Sequence, residues 1–289
     1  MHLRIENLAF CYPSFGFPSQ LVLSDINLEI CGGEFVGIAG PSGSGKTTLM
    51  QHVTRLLKPD EGRVWVDGCD LGSSAINIDD LRRRIGLVFQ FPEAQLFEES
   101  VFADVAFGLR NLELAENEIS ERVHRALRQV GLDVEAFGAR SPIRLSAGEK
   151  RRVALAGILV MNPEVLILDE PTAGLDYPGV QTMIAILKEF HSAGKTVVLI
   201  SHHLDLLLTL ADRVILMNRG KVCFDGAIAK LISMPEVLES AGLGLPRILH
   251  FVRYLQMAGW TVPANNRSFP RVLELLSYFR QGVSKQSNG

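Results

Sequence analysis

The sequence predicts an α/β fold: a mostly parallel sheet with an antiparallel β part at its N-terminal end, a helical insertion, and a small α-rich C-terminal extension. Three observations lead there. Short apolar runs recur along the chain at Glu34–Ala39, Ile85–Phe89, Val165–Leu168 and Val197–Ile200. Being apolar on both faces and separated by helical stretches, they read as parallel strands covered on both sides. Between Phe91 and Met161 the strand signal gives way to a helical period, as in Ile119, Val123, Ala126, Leu127 and Val130. With 47% apolar and 21% charged residues over 289 positions, the composition is that of a folded globular chain.

Taken in order, residues 2–11 and 21–30 read as two strands joined by a Pro/Gly/Ser-rich connection at 13–19. The run Glu34–Ala39 is a strand that leads directly into glycines, and a helix is expected from Lys46 through Leu49, Met50, Val53 and Leu56. Pro59–Gly62 is a turn, and Arg63–Gly68 a strand and its exit. The helical insertion spans about 91–161, within a main domain of residues 1–228. Residues 229–289 form the extension, with amphipathic pieces that place Ile248, Leu249, Val252 and Leu255 at helical spacing, and a tail at 284–289 expected to be disordered.

The net charge of -3 gives no general attraction to nucleic acid, and Arg82–Arg84 and Lys150–Arg152 are short enough to be solvated helix faces. Cys11, Cys31, Cys69 and Cys223 lie far apart with no C-x-x-C pair, so they read as buried or reduced thiols rather than a disulfide frame or zinc site. The N-terminus alternates like a strand and lacks a signal peptide's apolar block, and no apolar stretch approaches the ~20 residues of a membrane span. A protein soluble by itself is expected, with a membrane partner still possible.

The chemistry begins at Gly40-Pro41-Ser42-Gly43-Ser44-Gly45-Lys46-Thr47, which has the form G-x-x-x-x-G-K-[ST]. A strand precedes it and a helix follows, the context in which this pattern is a phosphate-binding loop. Glycines let successive backbone N–H groups converge on phosphate oxygens, Lys46 reaches the β- and γ-phosphates, and Thr47 ligates Mg²⁺. The following helix, with Thr48 in its first turn, points its positive end at the same anion. ATP and Mg²⁺ are the expected cofactors, and the fold is of the P-loop NTPase type. In Val165–Glu170 a buried strand delivers Asp169 to its carboxyl end, where ligands bind in open α/β sheets. Asp169 is expected to hold Mg²⁺, and Glu170 to polarise the water that attacks the γ-phosphate.

Just upstream, Leu145-Ser146-Ala147-Gly148-Glu149 resembles the signature of ATP-binding-cassette (ABC) transporter ATPases. The resemblance covers at least residues 2–226. It implies that Tyr12 stacks on adenine, and that Gln90 touches Mg²⁺ and the attacking water where the membrane-facing insertion begins. It implies that Ser146 and Gly148 contact the γ-phosphate bound by the opposite subunit, a role that suits a hydroxyl and N–H groups at a helix start. Ala173–Asp176 resembles the loop that crosses the dimer interface, and His202 the switch histidine on the γ-phosphate. Ala147 and Glu149 stand where glycine and glutamine are usual, which predicts weakened function at the signature. His203 replaces a common aspartate; a metal-binding histidine pair is disfavoured because adjacent residues at a strand end usually point apart.

Within that family, Val88–Phe97, Asp104–Gly108 and Lys150–Gly157 resemble the ATPases of energy-coupling-factor importers, which take up vitamins or transition-metal ions such as cobalt or nickel. This implies a second ATPase subunit, identical or paralogous, an integral membrane coupling subunit and a substrate-binding membrane protein, with the chain peripheral on the cytoplasmic face of the cell membrane. The rival readings are another importer branch and a non-transport ATPase acting on nucleic acid or the ribosome.

Overall fold

The computed structural model describes residues 1–13, 20–74, 76–232 and 234–247, with 250, 251, 254 and 257. Its strands are β1 (Leu3–Tyr12), β2 (Gln20–Ile30), β3 (Phe35–Ala39), β4 (Glu61–Val66), β5 (Cys69–Asp70), β6 (Ile85–Val88), β7 (Val165–Asp169), β8 (Thr196–Ile200), β9 (Arg213–Asn218) and β10 (Lys221–Ala227). Its helices are α1 (Lys46–Val53), α2 (Ile78–Arg84), α3 (Val101–Arg110), α4 (Glu116–Gln129), α5 (Val134–Phe137), α6 (Ala147–Leu159), α7 (Tyr177–Ser192), α8 (Leu204–Leu210), α9 (Ile228–Ile232) and α10 (Pro235–Ser240).

An antiparallel sheet of order β2-β1-β4-β5 faces a six-stranded sheet of order β10-β9-β3-β8-β7-β6. The larger sheet is parallel except for β10, which pairs antiparallel with β9. Alternation along each strand supplies two cores. Val36, Ile38, Val165, Ile167, Val198, Ile200, Ile215 and Met217 join one apolar cluster with β1, β2, β4 and the α1 residues Leu49, Met50 and Val53. Their neighbours Phe35, Ala39, Leu166, Leu168, Val197, Leu199, Val214 and Leu216 join the other, with α3, α4, α6, α7 and α8. Every residue of β3, β7 and β8 is therefore buried, the state that two-sided apolar strands predict.

The insertion and the extension share the second core. Val105, Val123 and Val153 lie in it, as do Leu231, Leu238 and Leu243, so the insertion and the described part of the extension pack onto the main domain's core. Several expectations shift. The strand expected from Arg63 starts at Glu61, and the helix expected to reach Leu56 stops at Val53, where Thr54 leaves helical geometry and Arg55 turns to φ 56. No cysteine among the four is buried: Cys11 is intermediate and the others are exposed and free. Most of the 13–19 connection and the tail at 284–289 lie outside the described residues, as do Ile248, Leu249, Val252 and Leu255. No helix among the described residues is long and apolar enough to cross a membrane.

Candidate functional site

Four neighbouring parallel strands end on one edge of the large sheet. There β3 runs into the phosphate loop, β8 into Ser201 and His202, β7 into Asp169 and Glu170, and β6 toward Gln90. This carboxyl edge is where open α/β sheets hold ligands.

The loop's tight path depends on missing side chains. At Gly40 (φ +156) an added Cβ would lie 2.1 Å from the Met217 carbonyl oxygen, and at Gly45 (φ +97) 2.7 Å from a Leu23 methyl. Lys46 Nζ donates to the carbonyls of Gly40 and Pro41, both at 2.9 Å, and to Ser44 Oγ at 3.3 Å. Burial lowers the Lys46 ammonium's pKa from its ordinary value, and the charges of Glu170 and Asp169 partly restore it.

The Thr47 hydroxyl donates to Asp169 Oδ2. Burial raises the Asp169 carboxyl's pKa, opposed by that hydrogen bond and assisted by the charge of Glu170. A hydroxyl and a carboxylate brought together are hard oxygen donors of the kind Mg²⁺ prefers. Glu170 adopts the left-handed φ 49, a conformation that non-glycine residues take at a cost of about 1–2 kcal/mol. Its amide donates to the Ile200 carbonyl at 3.0 Å, and its side chain is fixed at both oxygens. Oε1 accepts from the His202 amide at 2.8 Å and meets His202 Nδ1 at 2.6 Å, and Oε2 accepts from Ser201 Oγ at 3.1 Å.

A single cleft of about 830 Å³ gathers Tyr12, Gly40–Thr48, Gln90, Asp169, Glu170 and His202. Tyr12 stands at its rim with its hydroxyl 3.4 Å from Thr48 Oγ1 and its ring edge-on to Phe10. Val22 and Gly242–Gly244 line the same cleft, although nothing in their local sequence pattern marks them as site residues. The His202 and His203 rings do not point apart. Their centroids lie 4.0 Å from each other, because the chain turns at His203 to cap α8.

Ser146 and Gly148 line a different cavity, with Glu149, Arg151, Arg152 and the 175–186 segment. Here the unusual Glu149 has a structural task. Ser146 Oγ accepts the Glu149 amide at 3.3 Å while the Glu149 carboxylate accepts the Ser146 amide at 2.8 Å, the reciprocal cap of an S-x-x-E helix start. That hydrogen bond holds the Glu149 carboxyl below its ordinary pKa. One turn on, Arg151 joins three segments: it is forked onto Glu93 at 3.1 and 3.3 Å and donates to the carbonyls of Pro171 and Ala173.

Comparison with known proteins gives one consistent picture. Residues 23–173 match the family model described as ABC transporter. The energy-coupling factor transporter ATP-binding protein EcfA2 of Clostridium tetani is 43% identical over 266 residues, 92% of each chain. EcfA2 of Symbiobacterium thermophilum is 50% identical over 241 residues, 83% of each chain. Among solved structures, cbiO1 from Clostridium perfringens, part of the ABC transporter complex cbiONQ, superposes with a TM-score of 0.73 at 40% identity, covering 87% of this chain and 98% of that one. A dimeric ATP-binding cassette in a post-hydrolysis state with ADP and Pi superposes at 0.69 with 30% identity, covering 78% and 98%.

Proposed function

The chain belongs to the ABC transporter family, among its energy-coupling factor ATP-binding subunits, and we propose that it hydrolyses ATP as one half of a paired ATPase that drives uptake through a membrane complex. The convergence of Lys46, Thr47, Asp169, Glu170 and His202 on one cleft carries this reading. Lys46 and the loop amides bind the β- and γ-phosphates, and Tyr12 packs on the base. Thr47, Asp169 and Gln90 would hold Mg²⁺, which neutralises charge developing on the phosphates. Glu170 orients the attacking water and takes its proton, and His202 steadies that carboxylate while facing the γ-phosphate.

Ser146 and Gly148 complete the cleft of a second subunit. Their separation from the phosphate loop within one chain supports this, as does the dimeric state of the related cassette. Nucleotide that touches both subunits favours the closed pair, and hydrolysis removes that preference. The insertion carries exposed Phe91, Phe97, Phe107 and Ile143, apolar surface suited to a membrane-embedded coupling subunit. The subunit is peripheral to the membrane, and the cargo is a vitamin or a transition-metal ion bound by another protein. Extraction of the full chain in mild detergent, followed by mass spectrometry, is expected to recover small integral membrane proteins and any paralogous ATPase. Recovery of the chain alone, or with ribosomes, overturns the transport reading.

A further inference from the structure

We infer that Ser201 is the positioning residue for the Glu170 carboxylate, and that it marks Oε2 as the oxygen that receives the proton of the attacking water. The inference rests on Glu170 acting as the base. Ser201 is wholly buried, and its amide is tied to the Ile38 carbonyl of β3 at 3.0 Å. Its hydroxyl oxygen accepts the His203 amide at 3.1 Å. A hydroxyl carries one proton, and an ionised carboxylate can only accept. The Ser201 proton is thus directed to Glu170 Oε2, 3.1 Å away.

The two carboxylate oxygens are then unequal. Oε1 meets the His202 amide at 2.8 Å and Nδ1 at 2.6 Å; beside an ionised carboxylate, which can only accept, Nδ1 is the protonated ring nitrogen and both are donors. With about two lone-pair sites per oxygen, Oε1 is filled. Oε2 faces the Ser201 hydroxyl and keeps one site open. As the water oxygen bonds to the γ-phosphorus, its proton passes to that site, and the electron pair of the breaking phosphorus–oxygen bond leaves with ADP. Because Ser201 also hangs from β3, the strand that feeds the phosphate loop, it fixes the base relative to the phosphates rather than only to its own strand.

The test is steady-state ATPase activity and MgATP affinity of the full chain as Ser201→Ala, Glu170→Gln and the double variant. A neutral hydrogen bond to a charged group is worth roughly ten- to hundredfold in an equilibrium or rate. Ser201→Ala is therefore expected to lower kcat by about tenfold or more while KM and MgATP affinity stay within about twofold. In the Glu170→Gln background, where the base is gone, adding Ser201→Ala is expected to change residual turnover little. A Ser201→Ala enzyme with parental kcat overturns the inference, and so does an equal fractional loss in both backgrounds, the mark of a merely structural serine. Parental turnover by Glu170→Gln alone removes the base itself, an outcome distinct from either.

Discussion

Replacing Arg151 by methionine keeps the length of an unbranched stem and removes the guanidinium that ties together the segment after Gln90, the start of α6 and the loop after Glu170. Arg151 is 4% exposed and its partner Glu93 has a side chain 21% exposed. Breaking a buried pair by removing one member costs about 3–5 kcal/mol, since the other charge stays behind. Glu93 can recover some water, so the lower end applies, about 3 kcal/mol. Arg84 is the control. It also bridges two carboxylates, Asp67 and Glu164, but its side chain is 33% exposed, and exposed pairs contribute about 0–1 kcal/mol. Urea unfolding followed by circular dichroism reads the difference as a lower midpoint at unchanged slope. An Arg151→Met protein no less stable than Arg84→Met would refute the reasoning. ATP turnover is expected to fall in the former and hold in the latter, because Arg151, unlike Arg84, donates to the carbonyls of Pro171 and Ala173 in the loop after Glu170.

Lys46→Ala is expected to abolish measurable nucleotide binding in calorimetry, and an unchanged affinity would remove the loop from phosphate recognition. Gly40→Ala places a Cβ 2.1 Å from the Met217 carbonyl, whereas at Gly43 (φ +76) nothing lies within 4 Å. Thermal unfolding should thus show a clear loss for Gly40→Ala and only about 1–2 kcal/mol for Gly43→Ala; equal losses would contradict the close approach. The Glu149 carboxyl is held below its unfolded pKa, so its contribution is present above the ordinary carboxylate range and lost as pH falls through the folded value. Amide exchange at the start of α6 should accelerate on acidification into that range in the parent, and Glu149→Gln should flatten this dependence.

Much of this architecture is visible in the chain because its strands declare themselves. Phe35–Ala39, Val165–Asp169 and Thr196–Ile200 are buried along their whole length, and only a two-sided sheet accommodates such runs. The phosphate loop is equally plain, since its glycines and lysine follow from local geometry. The hairpin of β9 and β10 is poorly marked in the sequence although Asn218-Arg219-Gly220 supplies a turn; β10 alternates between exposed and partly buried residues and looks like surface. Glu149 reads as a defect against a family pattern, yet Ser146-Ala147-Gly148-Glu149 already has the S-x-x-E form of a reciprocal cap. The close, tilted approach of the His202 and His203 rings depends on the bend that opens α8, and the Ser201 contact on a strand neighbour 31 residues distant in sequence. Long-range juxtapositions of that kind have no local signal.

The order β9-β3-β8-β7 has a dynamic consequence. Amides in strands paired on both sides and covered on both faces exchange with solvent only when the whole molecule opens. The groups proposed to meet ATP are therefore rooted in the slowest-exchanging part of the protein, and sheet distortion is a poor way to transmit their state. Movement has to pass instead through what hangs from that edge: the turn at Gln90, the loop held by Arg151, and the Gly242–Gly244 wall. Deuterium uptake with and without nucleotide should change in those margins while β3, β7 and β8 remain silent.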